Sequence, residues 1–171
     1  MTLELSEADA ALVQALDRYN LLTIEQAERL GIANRKHIGE RLNRLIKGKY
    51  AGRLEHKPLV RPAVYWLTER GARECSEYLS EGAESRARKK PYSGGAHARQ
   101  RIEIVDCIIA LNQWAARSGW VVNWTRVEFE RKAGALESPA RLIWENGVYV
   151  PDALVCLSAP SGEPFVFALE V

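Results

Sequence analysis

Asn34 to Lys47 reads NRKHIGERLNRLIK. Its apolar residues fall at Ile38, Leu42, Leu45 and Ile46, the i, i+4, i+7, i+8 spacing of a helix with one side on a core, and Asn34 stands where an N-cap belongs. The other side displays Lys36, His37, Arg41, Asn43, Arg44 and Lys47, with Arg35 at its start and only Glu40 opposing them within the helix. A charge run of this kind is either a solvated face or a surface that meets an anion, and its neighbours have to decide.

Towards the N-terminus, Ala8, Leu12, Ala15, Leu16 and Tyr19 form a helical stripe opened by Ser6. Thr23 to Gln26 has the Thr-x-x-Gln form of a capping box, and Gly31 closes that short helix. Towards the C-terminus, AGRLEH and AVYWLT are short strand candidates joined by a proline-containing loop that bears Lys57 and Arg61. Thr68 then caps a fourth helix expected to run to about Leu79. Three helices, a hairpin and a helix, including the YWLTERG join, resemble a winged helix-turn-helix domain. The resemblance implies that the third helix lies in the major groove of double-stranded DNA while the wing touches the backbone. Arg and Lys can neutralise phosphates there, and Arg and Asn can read guanine and adenine edges. The expected DNA-binding set is therefore Arg35, Lys36, His37, Arg41, Asn43, Arg44, Lys47, Arg53, Lys57 and Arg61. The other use of such a fold is as a protein-docking module.

The chain has 171 residues, enough for one large domain or two small ones. Its 47% hydrophobic and 27% charged content is that of an ordinary globular protein, and a net charge of +2 announces no polyanionic partner by itself. Cys75, Cys107 and Cys156 lie far apart in apolar surroundings, without the close spacing of a zinc or redox motif, and read as buried free thiols. No basic n-region with an apolar block opens the chain, and no apolar run reaches bilayer length, so a cytoplasmic protein without membrane contact is expected. The segment 81–95, EGAESRARKKPYSGG, is basic and poor in large apolar residues, which reads as a linker between domains at 1–80 and 96–171. Its Arg86, Arg88, Lys89 and Lys90 are placed to follow a DNA backbone.

After it, His97 to about Ser118 reads as a long helix with Ile104, Ile108, Leu111 and Ala115 on one stripe. Trp120 to Thr125 is a strand candidate, with Val127 and Phe129 extending it, and RLIWENGVYV reads as strand and turn. Helix first and strands afterwards indicate an α+β or α/β layer. The closing stretch VPDALVCLSAPSGEPFVFALEV, Val150 to Val171, reads as a hairpin. A turn centred on Ser161 sets Leu154 opposite Ala168, Cys156 opposite Val166 and Asp152 opposite Glu170. Two carboxylates opposed at the end of an apolar face repel unless a divalent cation or a shared proton intervenes, and a one-residue slip would part them.

Pro151-Asp152, a hairpin and then Glu170 look like the first part of the PD-(D/E)xK nuclease pattern. His97 opening the long helix, Glu103 within it, Trp124, Glu128 and Leu169-Glu170-Val171 add a resemblance to the replication-relaxation proteins of plasmids, related to MobC-type conjugative relaxases. The overall expectation is an α+β chain with a winged helix-turn-helix followed by an α/β restriction-endonuclease-like domain. The resemblance implies a metal-dependent DNA endonuclease or relaxase whose catalytic and metal-binding residues are Glu103, Asp152 and Glu170, holding Mg²⁺ or Mn²⁺. The pattern's lysine, two positions after the second acid, would fall one position past Val171, and an end inside an apolar strand is expected of a fragment of a longer protein. His97 reads as a structural histidine or a ligand, and Tyr149 stands near the acids, where a tyrosine nucleophile would be. Implied partners are double-stranded DNA, other relaxosome or conjugation proteins and a second copy of the chain. A transcriptional regulator or relaxosome accessory factor would instead keep the second domain for dimerisation or docking, without catalysis.

Overall fold

The computed structural model of the protein describes residues 5–54, 62–79, 95–128, 138–145 and 147–171, and the side chains of 95–97 are left aside. The chain forms two compact units, Met1–Ile102 and Glu103–Val171.

The first unit opens with α1 (Glu7–Tyr19), β1 (Leu22–Thr23), α2 (Ile24–Arg29) and α3 (Arg35–Lys47). It continues with β2 (Ala51–Leu54), β3 (Val64–Leu67), α4 (Glu69–Glu74) and a 3₁₀ turn at Ser76–Tyr78. Each helix start carries a side-chain cap: Ser6 Oγ accepts from Asp9 N, Thr23 from Gln26 N, Asn34 from His37 N and Thr68 from Gly71 N. Leu12, Val13, Leu16, Leu21, Leu22, Ile38, Leu42 and Leu45 are buried and make the core. The sheet is antiparallel in the order β1-β3-β2, with Leu22 opposite Tyr65 and Arg53 opposite Tyr65 from the other side. The elements follow the expected order of three helices, a hairpin and a helix. The short strand β1 escapes a sequence reading because two residues carry no period; its hydrogen bonds come from β3.

The fourth helix is shorter than the expected run to Leu79: it ends at Glu74, and a 3₁₀ turn follows. Gly71 within it is fixed by a close approach, since a Cβ there would lie 2.1 Å from the carbonyl oxygen of Tyr50. The division between the units falls inside α5 (Gly95–Ser118), after Ile102, while 81–94 lie outside the described residues. Ile102 packs against the cluster of Leu21, Leu54, Val64 and Trp66, and its carbonyl accepts from Gln26 Nε2 at 2.9 Å. Ile102 of α5 thus belongs to the core of the first unit.

The second unit holds the rest of α5, β4 (Val121–Val127), β5 (Leu142–Trp144), β6 (Gly147–Tyr149), β7 (Ala153–Ser158) and β8 (Pro164–Leu169). β4, β7 and β8 form an antiparallel sheet with β7 at its centre, and β5 and β6 pair as a separate hairpin. The register of β7 and β8 is the expected one: Leu154 faces Ala168 and Cys156 faces Val166. Val155 and Leu157 pack with Ala115 of α5, joined by Leu111, Trp120, Val122 and Leu169. β7 is buried along its length, whereas β8 leaves Phe165, Val166 and Phe167 exposed. The three cysteines are free as expected, but only Cys75 and Cys156 are buried; Cys107 is exposed because it lies off the stripe of α5 that meets the sheet. In sum the described elements are a mixed α and β structure with small antiparallel sheets.

Candidate nucleic-acid interface

α3 turns Ile38, Leu42 and Leu45 inward and leaves Arg35, Lys36, His37, Glu40, Asn43, Arg44 and Lys47 exposed. Lys36, Glu40, Asn43 and Lys47 fall at helical spacing and share one outward stripe. The side chains of Lys36, Asn43 and Lys47 make no hydrogen bond or ion pair with another described residue, so their donors face water.

The arginines are placed differently. Arg35 Nη2 lies 3.5 Å from Glu25, with both side chains well exposed, a surface pair of little energetic weight. Arg41 and Arg44 both meet Asp9 of α1, a carboxylate with no exposed surface. Arg41 Nη1 lies 2.9 Å from Asp9 Oδ1 and donates to Ser6 Oγ at 2.6 Å. Arg44 Nη2 donates to Asp9 Oδ2, and Ser6 Oγ donates to the same oxygen at 2.5 Å. Ser6 N adds a backbone donor to that oxygen at 3.1 Å. The Oδ1 contact is an ion pair and not a hydrogen bond. Burial by itself would raise the Asp9 pKa, but the hydrogen bonds from Ser6 and Arg44 and the close Arg41 guanidinium outweigh it and hold the carboxyl below its usual range.

Glu40 is therefore not the only acid answering the basic face: Asp9 reaches it from another helix. Helical periodicity treats α1 alone and has no means of seeing a cross-helix pair. A signal was present all the same, since Ser6-x-x-Asp9 has capping-box spacing and the box is formed. Lys49 also joins this surface; it is exposed in a left-handed turn at φ 62°, just past the C-cap Gly48. In the wing, Arg53 is exposed and stacks over the Tyr65 ring at 5.9 Å. Lys57 and Arg61 lie outside the described residues, as does the linker's basic cluster.

The second unit brings two of the three expected acids into one neighbourhood. Asp152 and Glu170 flank the ends of β7 and β8, where the register continues from Ala153 opposite Leu169. Asp152 Oδ2 accepts from Val171 N at 2.8 Å, and Glu170 Oε1 accepts from the Tyr149 hydroxyl. That hydrogen bond, then burial, then the charges of Glu170 and Asp152 push the Tyr149 pKa up, so the phenol is held neutral. Glu103 is half-buried on α5 and has its own interactions. Among the described residues no group of three or more His, Cys, Asp or Glu side chains stands close enough to hold a metal ion, so Glu103, Asp152 and Glu170 are not gathered into the expected triad. The hairpin fixes Asp152 relative to Glu170, but nothing in the helical pattern fixes Glu103 relative to them. Trp124 carries Arg126 over its ring at 4.7 Å, and Glu128 donates its N–H to the Asp152 carbonyl at 2.9 Å. The His97 side chain lies outside the described residues.

The first unit sets short helices, one of them basic and exposed, against a small antiparallel sheet, and the second is an antiparallel α/β unit. No protein-family model and no curated protein matches the chain. Among solved structures it is similar to NadR, from a crystal structure in complex with 4-hydroxyphenylacetate, at 15% identity and a TM-score of 0.41, over 66% of this chain and 73% of that one. A likeness this slight adds no weight to the topology above. Among the described residues no helix is long and apolar enough to cross a membrane.

Proposed function

We propose that the first unit binds double-stranded DNA with α3 in the major groove, in a regulatory or DNA-processing role. The observation that carries this reading is the outward stripe of α3, where Lys36, Asn43 and Lys47 present unengaged donors beside Arg35, His37, Arg41 and Arg44. Lysines there would neutralise phosphates, and Asn43 has the amide geometry that can pair with an adenine edge. Arg53, with Lys57 and Arg61 of the wing, would meet backbone phosphates beside the groove. The test is fluorescence anisotropy of a short labelled duplex across a salt series. The Lys36→Gln/Lys47→Gln variant should bind at least about tenfold more weakly near physiological salt, and its salt slope should fall by roughly two. Unchanged affinity and slope would remove α3 from the interface.

A second reading is metal-dependent nicking at Asp152 and Glu170 with Glu103, as in relaxation of mobile-element DNA. What supports it is the register that sets Asp152 beside Glu170. Calorimetric titration of Mn²⁺ into the wild type and the Asp152→Ala/Glu170→Ala variant tests it: heat lost in the variant supports a site, and no heat in the wild type removes it.

A further inference from the structure

Asp9 is an acid beside a surface proposed to meet a polyanion, which is the wrong sign for binding if charge alone counts. It is also fully buried and touched by two arginines of α3. A buried carboxylate in such a place needs a reason, because an acid without partners would not stay charged there.

We infer that Asp9 and Ser6 form a buttress that aims Arg41 and Arg44 at the phosphate backbone of bound DNA, making Asp9 a positioning residue of the interface. This inference rests on the proposed DNA-binding role of α3. The geometry is asymmetric in the way that role requires. Arg44 spends Nη2 on Asp9 Oδ2 while its side chain remains 59% exposed, so the rest of its guanidinium fork faces solvent. Arg41 is the more enclosed partner at 27%, with Nη1 shared between Ser6 Oγ and Asp9 Oδ1. A guanidinium held on one edge by a fixed carboxylate keeps its other donors in one orientation. A phosphate then meets donors that have already lost their freedom, and the ordering penalty of binding is smaller. Lysine cannot do this with one ammonium. Ser6 completes the device: its hydroxyl donates to Asp9 Oδ2, accepts from Arg41 and caps α1, so the acid cannot swing out to the surface.

Aiming and simple electrostatics predict opposite signs. Asp9→Asn removes a negative charge beside the DNA, so charge alone would tighten binding; loss of the buttress would weaken it. The measurement is the same duplex titration on the full chain, with thermal unfolding recorded for each variant. Asp9→Asn is expected to raise Kd about tenfold while the folded baseline is retained, and to have no further effect in an Arg41→Gln/Arg44→Gln background. Where Asp9→Asn does not fold, Arg44→Lys keeps both the charge and the acid, and is expected to lose nearly as much affinity as Arg44→Gln. Equal or tighter binding by folded Asp9→Asn overturns the inference, as does wild-type affinity in Arg44→Lys, while weakening by Lys36→Gln/Lys47→Gln would show the interface itself intact. Absence of binding by the wild type would sink the interface reading and the buttress with it.

Discussion

The chain has two polar clusters of nearly opposite character, Ser6–Asp9–Arg41–Arg44 in the first unit and Tyr149–Asp152–Glu170 in the second. In the first, one buried carboxylate faces two guanidiniums, and the acid is held in its charged form. In the second, Glu170 accepts from the Tyr149 hydroxyl and Asp152 from the Val171 N–H, and it is the phenol that is held in its neutral form. A buried charge answered by opposite charges can organise a neighbouring surface. Two partly exposed acids side by side disfavour each other's charge, and a cation or proton joining them would offset that.

The largest effect expected from disturbing this contrast is in the first cluster. Asp9→Ala removes a cap-linked acid and leaves Arg41 poorly paired, and it should destabilise the first unit by roughly 2–3 kcal/mol in urea unfolding. The pH dependence follows from the lowered Asp9 pKa. Its contribution is fully present above the ordinary carboxylate value of 3.8 and is lost as pH falls through the lower folded value. The stability gap between wild type and Asp9→Asn should therefore be constant at neutral pH and close in acid; a gap that stays open there would show that packing, not charge, is what Asp9 supplies.

A smaller effect is expected at the second cluster. Glu170→Ala removes the acceptor that is the largest cause of the raised Tyr149 pKa, and ultraviolet titration of tyrosinate should show that group moving down towards its usual 10.0. Tyr149 favours the fold below that ordinary value and ceases to as pH rises through the raised one, so the variant should alter stability only in strong alkali. Little change in the tyrosine titration would mean that the Tyr149–Glu170 bond is not formed in solution.

The smallest effect on stability, though not on behaviour, concerns β8. Among the described strands Pro164 to Leu169 is an edge strand; it has no charged residue, and Phe165, Val166 and Phe167 are exposed. Such edges pair with other chains. Val166→Lys should leave the melting temperature nearly unchanged and lower light scattering in concentrated samples; unaltered scattering would show the edge already protected.

Much of this was legible in the sequence, and unevenly so. The caps Ser6, Thr23, Asn34 and Thr68 mark helix starts because capping is a local hydrogen bond, and all four are formed. The β7–β8 register was readable because a tight turn centred on Ser161 fixes the pairing of Leu154 with Ala168 and Cys156 with Val166. What stayed hidden depends on contacts across elements. β1 exists only through β3, Asp9 meets Arg41 from another helix, and Ile102 belongs to the first unit through Trp66 and its neighbours. For the same reason the sequence could not place Glu103 against the hairpin acids, since no periodicity relates α5 to a hairpin fifty residues on.

The most direct test of the account is amide chemical-shift mapping of the labelled chain as a DNA duplex is titrated in. The account predicts that the shifts gather on Lys36, His37, Asn43, Arg44 and Lys47, with Arg53 beside them, and that β5 to β8 move little. Binding with α3 unperturbed, or with the shifts centred on the second unit, would contradict it.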